Sequence, residues 1–148
     1  MLVAAADLGL PDGRHLLHQR PAHKHHGGLW EFPGGKVEAE EGCREALSRE
    51  LAEELGIAVA PADLHRLTFA ESAADGAQPA ILLLLYRCER WRGEPRALEG
   101  GAVGWFSRAE MRALDMPPLD MRLWEWLTHP QPLPQAGGER DLASRRRG

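Results

Sequence analysis

Apolar positions fall along this chain in short clusters separated by polar and turn-forming stretches. Residues 2–6 and 14–19 are two such clusters, split by Leu10, Pro11, Asp12 and Gly13. Proline presets φ and glycine accepts a positive φ, so this pattern predicts a first hairpin. Residues 21–28 hold His23, Lys24, His25, His26 and two glycines, and read as a solvated polar loop. The strongest periodicity covers 39–55, where Ala46, Leu47, Leu51 and Leu55 form one apolar stripe at helical spacing. Glu40, Glu41 and Glu45 fall in the first turns of that predicted helix, where its dipole favours acids, and Gly56 follows as a natural end residue. Residues 64–71 and 80–88 read as strands joined by a polar loop at 72–78. The run Ile81, Leu82, Leu83, Leu84, Leu85 does not alternate, which predicts a strand covered on both faces. Residues 102–106 predict another strand. Ser107 with Glu110 predicts a capping box over a short helix to Leu114. Residues 120–127, with Leu123, Trp124 and Leu127, predict a last amphipathic helix.

After residue 128 the pattern stops. Pro130, Pro132 and Pro134 are followed by Gly137, Gly138 and the triplet Arg145, Arg146, Arg147. With so little apolar surface to bury, 129–148 is expected to be a disordered Pro/Gly/Arg-rich tail behind one domain at 1–128. A length of 148 residues, 43% hydrophobic and 27% charged, suits that single domain and excludes a coiled coil or a fibre. The net charge is −4. Four arginines against Glu139 and Asp141 put the tail at +2, which leaves 1–128 near −6. That sign excludes a protein that holds nucleic acid by bulk charge, and no stable nucleic-acid partner is expected. Cys43 and Cys88 form neither a disulfide framework nor a zinc-ligand pattern and read as reduced thiols of a cytoplasmic protein. The longest apolar run, 80–86, is too short to span a bilayer. Residues 1–6 lack a basic leader, so neither a signal peptide nor an anchor is expected.

One cluster carries chemistry. Glu50, Glu53 and Glu54 lie at i, i+3 and i+4 on the predicted helix, so all three carboxylates share one flank. Like charges so close repel, and the helix gains from them only when a cation sits among them. Hard divalent ions such as Mg²⁺ take oxygen ligands and keep room for substrate phosphates. Spacing alone leaves a solvated acidic face equally open.

The flanking residues extend the pattern. Gly35 is followed after five residues by Glu41, and after seven more by Arg49, Glu50 and Leu51, then Glu53, Glu54, Gly56 and Ile57. Seven fixed identities and two apolar positions in a span of 23 residues match GX5EX7REUXEEXGU, with U apolar. The sequence resembles the Nudix hydrolase family in this box. The likeness continues through Gln19, Arg20 and Pro21 and through residues 29–38 (Leu-Trp-Glu-Phe-Pro-Gly-Gly-Lys-Val-Glu), which resemble the lead-in of the MutT branch. Residues 89–95, then Glu99 and Gly100, then Pro117 and Pro118, resemble its second half.

The resemblance implies an α/β fold, an α/β/α sandwich around a mixed, curved sheet. It implies a Mg²⁺-dependent enzyme, with Mn²⁺ an alternative, that cuts a nucleoside triphosphate to a monophosphate and pyrophosphate by water attack at the β-phosphorus. The matching metal positions are Glu50, Glu53 and Glu54, the Gly34 carbonyl and Glu99, with Glu41 in support. Glu50 is the first candidate for the base and Glu53 the second. Arg49 matches the residue that orients the box carboxylates. Gly34 and Gly35 suit a loop whose backbone approaches metal or phosphate closely, and Gly35 and Lys36 are expected near substrate. Arg20 matches a basic residue near the phosphates and the purine.

Base preference is less sharply written. MutT-like enzymes that select 8-oxo-guanine carry an Asn where this chain has Asp120, and a second purine-contacting Arg falls close to Pro79. An amide donates and accepts, whereas an ionised carboxylate only accepts. Sanitation of oxidised nucleotides is therefore expected alongside a CTP/dCTP-type or broad alternative. A non-catalytic oxidised-guanine binder and an RNA 5′-end hydrolase stand further back. Phe32, Trp105 and Trp124 are expected in the core, and one of Trp30, Trp91 and Trp126 is free to stack on a base.

Overall fold

The computed structural model describes residues 1–129, so the expectation for the tail beyond His129 lies outside the described residues. In chain order the elements are β1 (Leu2–Leu8), β2 (His15–Gln19), β3 (Trp30–Glu31), β4 (Gly34–Lys36), α1 (Cys43–Leu55), a 3-10 turn (Pro61–Asp63), β5 (His65–Ser72), β6 (Ile81–Cys88), β7 (Ala102–Phe106), α2 (Arg108–Met111) and α3 (Pro118–Thr128). The strands form a four-stranded mixed sheet, β4-β1-β6-β5, and a three-stranded sheet, β3-β2-β7. β1 and β6 run parallel from Leu2 opposite Leu82 to Leu8 opposite Cys88. The other pairings are antiparallel.

β1 and β6 are apolar on both sides because helices cover both faces of their sheet. Ala4, Ala6, Leu8, Tyr86 and Cys88 face a core that includes Leu47, Leu51 and Leu55 of α1. Ala5, Leu83 and Leu85 face the other core, with Phe32, Met111 and Leu123. The unbroken Ile81–Leu85 run thus has its cause, although Leu82 keeps 37% of its surface exposed. Each fully buried leucine of the α1 stripe contributes about 2 kcal/mol by leaving water. The layered α/β architecture agrees with the sandwich expected from sequence, with α1 on one side and α3 against β5 on the other.

Three local expectations are corrected. The first hairpin turns as expected, with Gly13 N–H donating to Leu10 O at 3.0 Å. Its strands bridge only at Gly9 and His15 and then part into the two sheets. β6 docks on β1 and β7 on β2, and those long pairings outcompete a continued hairpin. The box helix begins at Cys43, not at 39. Glu40 sits at φ 66°, a left-handed conformation that a helix cannot contain, so of the three acids only Glu45 lies in the first turn. The capping box of Ser107 and Glu110 is present, but α2 ends at Met111 rather than Leu114, and α3 starts at Pro118 rather than 120. Phe32 is buried, and Trp105 and Trp124 pack against the cores as expected. Trp30 joins them edge-on to Phe106, with ring centroids 4.9 Å apart, and Trp91 stacks on Trp105.

Candidate active site

Burial of Leu47, Leu51 and Leu55 fixes the rotation of α1, and that rotation decides where the acids point. Glu54 turns inward and is 7% exposed, and Glu50 is partly covered. The Glu53 side chain is half exposed. Arg49 lies between them. Its Nη1 donates to Glu50 at 3.1 Å and to Glu53 at 3.3 Å, while Nε and Nη2 grip Glu41 at 2.8 and 3.0 Å. Nη2 also reaches the Lys36 carbonyl at 3.3 Å, tying the helix to β4. This guanidinium holds the Glu41 carboxyl down at about 2 and is itself pushed up. One cation serves three carboxylates, so a surplus of negative charge remains.

The Gly34–Lys36 strand sits hard against this flank. A Cβ on Gly35 would lie 2.3 Å from the Glu50 carboxyl carbon, and one on Gly34 would lie 2.0 Å from Ala4 O. At Gly34 the obstacle is backbone and only hydrogen fits, whereas at Gly35 a side chain would have to displace the Glu50 carboxyl. Glu50 is pushed up in pKa by burial, with Glu53 and Glu99 adding to the effect against Arg49.

Glu99 arrives from a distant loop held at both of its ends. Gly56 closes α1 at φ 69°, its N–H donating to Ala52 O. The helix-end carbonyls of Glu54 and Leu55 accept N–H groups of Leu98 and Arg96, each at 3.0 Å. Gly100 O then accepts from His18 Nε2 at 3.0 Å. Glu99 lies between these anchors, exposed, with its charge felt at Glu50 and Glu54.

Beyond Glu54 the site continues inward. His18 and Glu31 face each other across β2 and β3. His18 Nδ1 is 3.1 Å from Glu54 and 4.0 Å from Glu31. Burial pushes Glu54 up to about 7, the Glu31, Glu50 and Glu99 charges add to it, and His18 opposes it. Burial works to lower His18, but Glu31 and Glu54 outweigh it and the net direction is up. Arg20 pairs with Glu31 at 3.2 Å. Asp120, 6% exposed at the start of α3, accepts the Phe32 N–H at 3.1 Å. Burial, reinforced by Glu31, pushes its carboxyl up to about 7 against the pull of Phe32 N–H and Arg20. A carboxyl raised this far holds its proton well above the ordinary carboxylate range, and its protonated form can donate as well as accept.

The expected residues therefore form one tract. Glu41, Arg49, Glu50 and Glu53 lie at its outer end with Gly34, Gly35 and the exposed Lys36, and Glu54 and Glu99 lie beside them. Arg20 and Asp120 lie at the inner end. Pro79 is exposed. Sequence reasoning missed His18, and it quoted Glu31 only as part of a motif. Neither spacing nor periodicity marks them, because their meeting depends on the β2–β3 register. A cavity of about 600 Å³ lined by Asp7, His15, Leu67 and Arg87 is a separate feature that no box residue lines. Its Asp7 is buried and satisfied by His15 at 2.6 Å and Arg87 at 2.9 Å.

The donor set fits a divalent cation. It is rich in carboxylate oxygens, short of positive charge, and includes a buried imidazole nitrogen, His18 Nδ1, that lacks a hydrogen-bond partner. The family model of the NUDIX domain matches residues 3–129. The chain belongs to the NUDIX family. Members of this family generally need a divalent metal. The Nudix domain is 39% identical to the CTP pyrophosphohydrolase of Escherichia coli K12 over 114 residues, 77% of this chain and 82% of that protein. It is 37% identical to the 8-oxo-dGTP diphosphatase of the same organism over 100 residues, 68% and 74% of the two chains. A Mycobacterium tuberculosis relative is 43% identical over 93 residues, and there the match spans 63% of this chain and only 64% of the relative's length. Among solved structures, the E. coli ORF135 protein superposes with a TM-score of 0.71 at 37% identity, covering 84% of this chain and 85% of that one. The MutT Nudix hydrolase of Burkholderia pseudomallei gives 0.71 at 30% identity, covering 86% and 97%. Among the described residues, no helix is long and apolar enough to cross a membrane.

Proposed function

We propose that this Nudix domain, residues 1–128, is a Mg²⁺-dependent nucleoside triphosphate pyrophosphohydrolase of the cytoplasm. It would convert a nucleoside triphosphate and water into the monophosphate and pyrophosphate. The observation that carries this reading is the convergence of Glu50, Glu53, Glu54 and Glu99 beside a strand that admits no side chain at Gly34 and brings Gly35 against the Glu50 carboxyl. On this reading Glu50, Glu53, Glu54, Glu99 and the Gly34 carbonyl hold the metal, with Glu41 in support through Arg49. When bound, Mg²⁺ (or Mn²⁺) supplies positive charge against the polyphosphate and makes water more acidic.

The chain's own groups do the rest. Arg49 fixes the carboxylates of Glu50 and Glu53 in one orientation. Glu50 is the base. Half-covered and raised in pKa, its carboxylate takes a proton from water as the water oxygen attacks the β-phosphorus and the bond to the α-bridging oxygen breaks. Gly35 leaves the backbone bare for a phosphate to approach, and Lys36 offers an ammonium to it. Arg20, half engaged by Glu31, is the cation at the nucleoside end. Asp120 reads the base edge, and its proton lets it donate as the Asn of 8-oxo-guanine-selective relatives does.

We assign the substrate to oxidised guanine nucleotides such as 8-oxo-dGTP, in keeping with the name of the E. coli diphosphatase. A cytidine nucleotide is the second reading, favoured because the E. coli CTP pyrophosphohydrolase matches over more of the chain. Pyrophosphate release with Mg²⁺ tests both, comparing kcat/KM for 8-oxo-dGTP, dGTP, dCTP and CTP. A ratio of 8-oxo-dGTP to dGTP above about 100, roughly 3 kcal/mol, establishes sanitation. A cytidine preference replaces it with the second reading, and no turnover on any of the four removes both.

A further inference from the structure

His18 has one structural role, its Nε2 bond to Gly100 O, and a second ring nitrogen that this role leaves unused. The residue is 5% exposed on β2, next to the buried Leu17, and its ring faces carboxylates. Its Nε2 donates to Gly100 O at 3.0 Å, which leaves Nδ1 as the nitrogen with the free lone pair. That nitrogen is buried and has no hydrogen-bond partner, although Glu54 Oε1 lies 3.1 Å away and Glu31 Oε1 lies 4.0 Å away. Two carboxylates and one imidazole nitrogen thus converge, with Arg20 Nη1 held on the other Glu31 oxygen at 3.2 Å. One ligand atom from each of His18, Glu31 and Glu54 lies within 4.8 Å of the other two. Of the three, the buried Nδ1 of His18 has no hydrogen-bond partner, and a cation held between it, Glu54 and Glu31 would satisfy it.

The composition of the trio decides which cation. Mg²⁺ demands six oxygens and gives up its waters reluctantly, whereas an imidazole nitrogen suits later first-row ions. We propose that His18, Glu31 and Glu54 form a second cation site on the inner side of the box helix, of mixed nitrogen and oxygen donors, that takes Zn²⁺, Co²⁺ or Mn²⁺ in preference to Mg²⁺. It goes beyond the function proposed above and rests on that reading only in sharing Glu54. The Nε2 bond to Gly100 is the usual device by which a second partner fixes a metal-binding imidazole. Here the same bond anchors the loop that carries Glu99, so a metal on Nδ1 would also stiffen the approach of Glu99 to the outer carboxylates.

The test uses the metal-free full chain. His23, His25 and His26, exposed on the 21–28 loop, are replaced by Asn to remove competing imidazoles. Co²⁺ and Mg²⁺ are titrated separately by calorimetry, with the visible absorption of Co²⁺ as a second readout. The expected result is one Co²⁺ site that His18→Ala weakens by at least about tenfold, with a clearly smaller loss of Mg²⁺ affinity through the freed Glu99 loop. Glu53→Gln is expected to do the reverse. Equal Co²⁺ binding with and without His18 overturns the proposal. If Glu53→Gln leaves Mg²⁺ binding untouched while His18→Ala still loses Co²⁺, the outer-site reading fails and this one stands. Should His18→Ala not fold, one equivalent of Mn²⁺ in excess Mg²⁺ is read by electron spin-echo modulation. A ¹⁴N coupling supports the site, and its absence overturns it.

Discussion

Asp120 offers a quantitative handle on the buried end of the tract. Its carboxyl is pushed from an ordinary 3.8 up to about 7, chiefly by burial. Between those two values the native state keeps a proton that the unfolded chain has released, so stability falls as pH rises through the window. Above pH 7 the penalty is complete. The shift is then worth about 4 kcal/mol at about 1.4 kcal/mol per pH unit. Asp120→Asn retains an oxygen for the Phe32 N–H and removes the ionisation. The neutral replacement has its own cost, but that cost does not vary with pH. The difference between the two proteins is what the carboxyl controls. Its pH-dependent part grows from about 2 kcal/mol at pH 5 to about 4 kcal/mol at pH 8. The Asn variant should therefore gain about 2–3 kcal/mol on the wild type over that interval, a relative Tm change on the order of 10 °C for a domain of this size. Urea unfolding of both metal-free proteins at pH 5, 6, 7 and 8 measures it. A stability difference that stays constant across those four points refutes the assignment of a buried, proton-holding carboxyl.

Further outcomes follow from the same geometry. Glu53→Gln should cut pyrophosphate release about 100-fold or more while circular dichroism shows an unchanged fold, because the side chain is half exposed; full activity would sink its metal role. Gly35→Ala should cost at least about tenfold in kcat, since its Cβ would sit 2.3 Å from the Glu50 carboxyl carbon, and activity near wild type would show that Glu50 can move without harm. Leu51→Ala, at a position with no exposure, should lower unfolding free energy by about 2–5 kcal/mol in urea titration. Mg²⁺ at about 100 times its Kd should stabilise the protein by about 2.7 kcal/mol, with EDTA reversing the gain in a thermal melt.

The parts of this molecule legible in its sequence are those where one local period carries several meanings. The leucine stripe of α1 and its acidic flank obey the same 3.6-residue repeat, so burying Leu47, Leu51 and Leu55 fixes Glu50, Glu53 and Glu54 as well. Gly56 as the helix end and the double-faced β6 are legible for the same reason. What was hidden depends on long-range pairing. Nothing in residues 2–6 and 14–19 says that β1 prefers β6 and β2 prefers β7 to each other. The helix start was misplaced because the acids at 40 and 41 suit a first turn by charge, while the backbone at Glu40 turns left-handed. His18 and Glu31 needed a two-rung register to meet. Asp120 was placed at the base-reading end by resemblance, but its changed protonation comes from burial that no local pattern records.

The double tether of the Glu99 loop also sets an order of assembly. On a ribosome the box helix is made long before its last acidic neighbour. Leu98 and Gly100, the residues that bond Glu54 O and His18 Nε2, follow Glu54 by about forty-five positions, a delay of roughly 2–9 s at ordinary elongation rates. Throughout that interval the carbonyls at the end of α1 lack the N–H groups they later accept, and the imidazole of His18 lacks its anchor. Closure of the Glu99 side of the site therefore waits for residues 96–100, whichever elements fold before them.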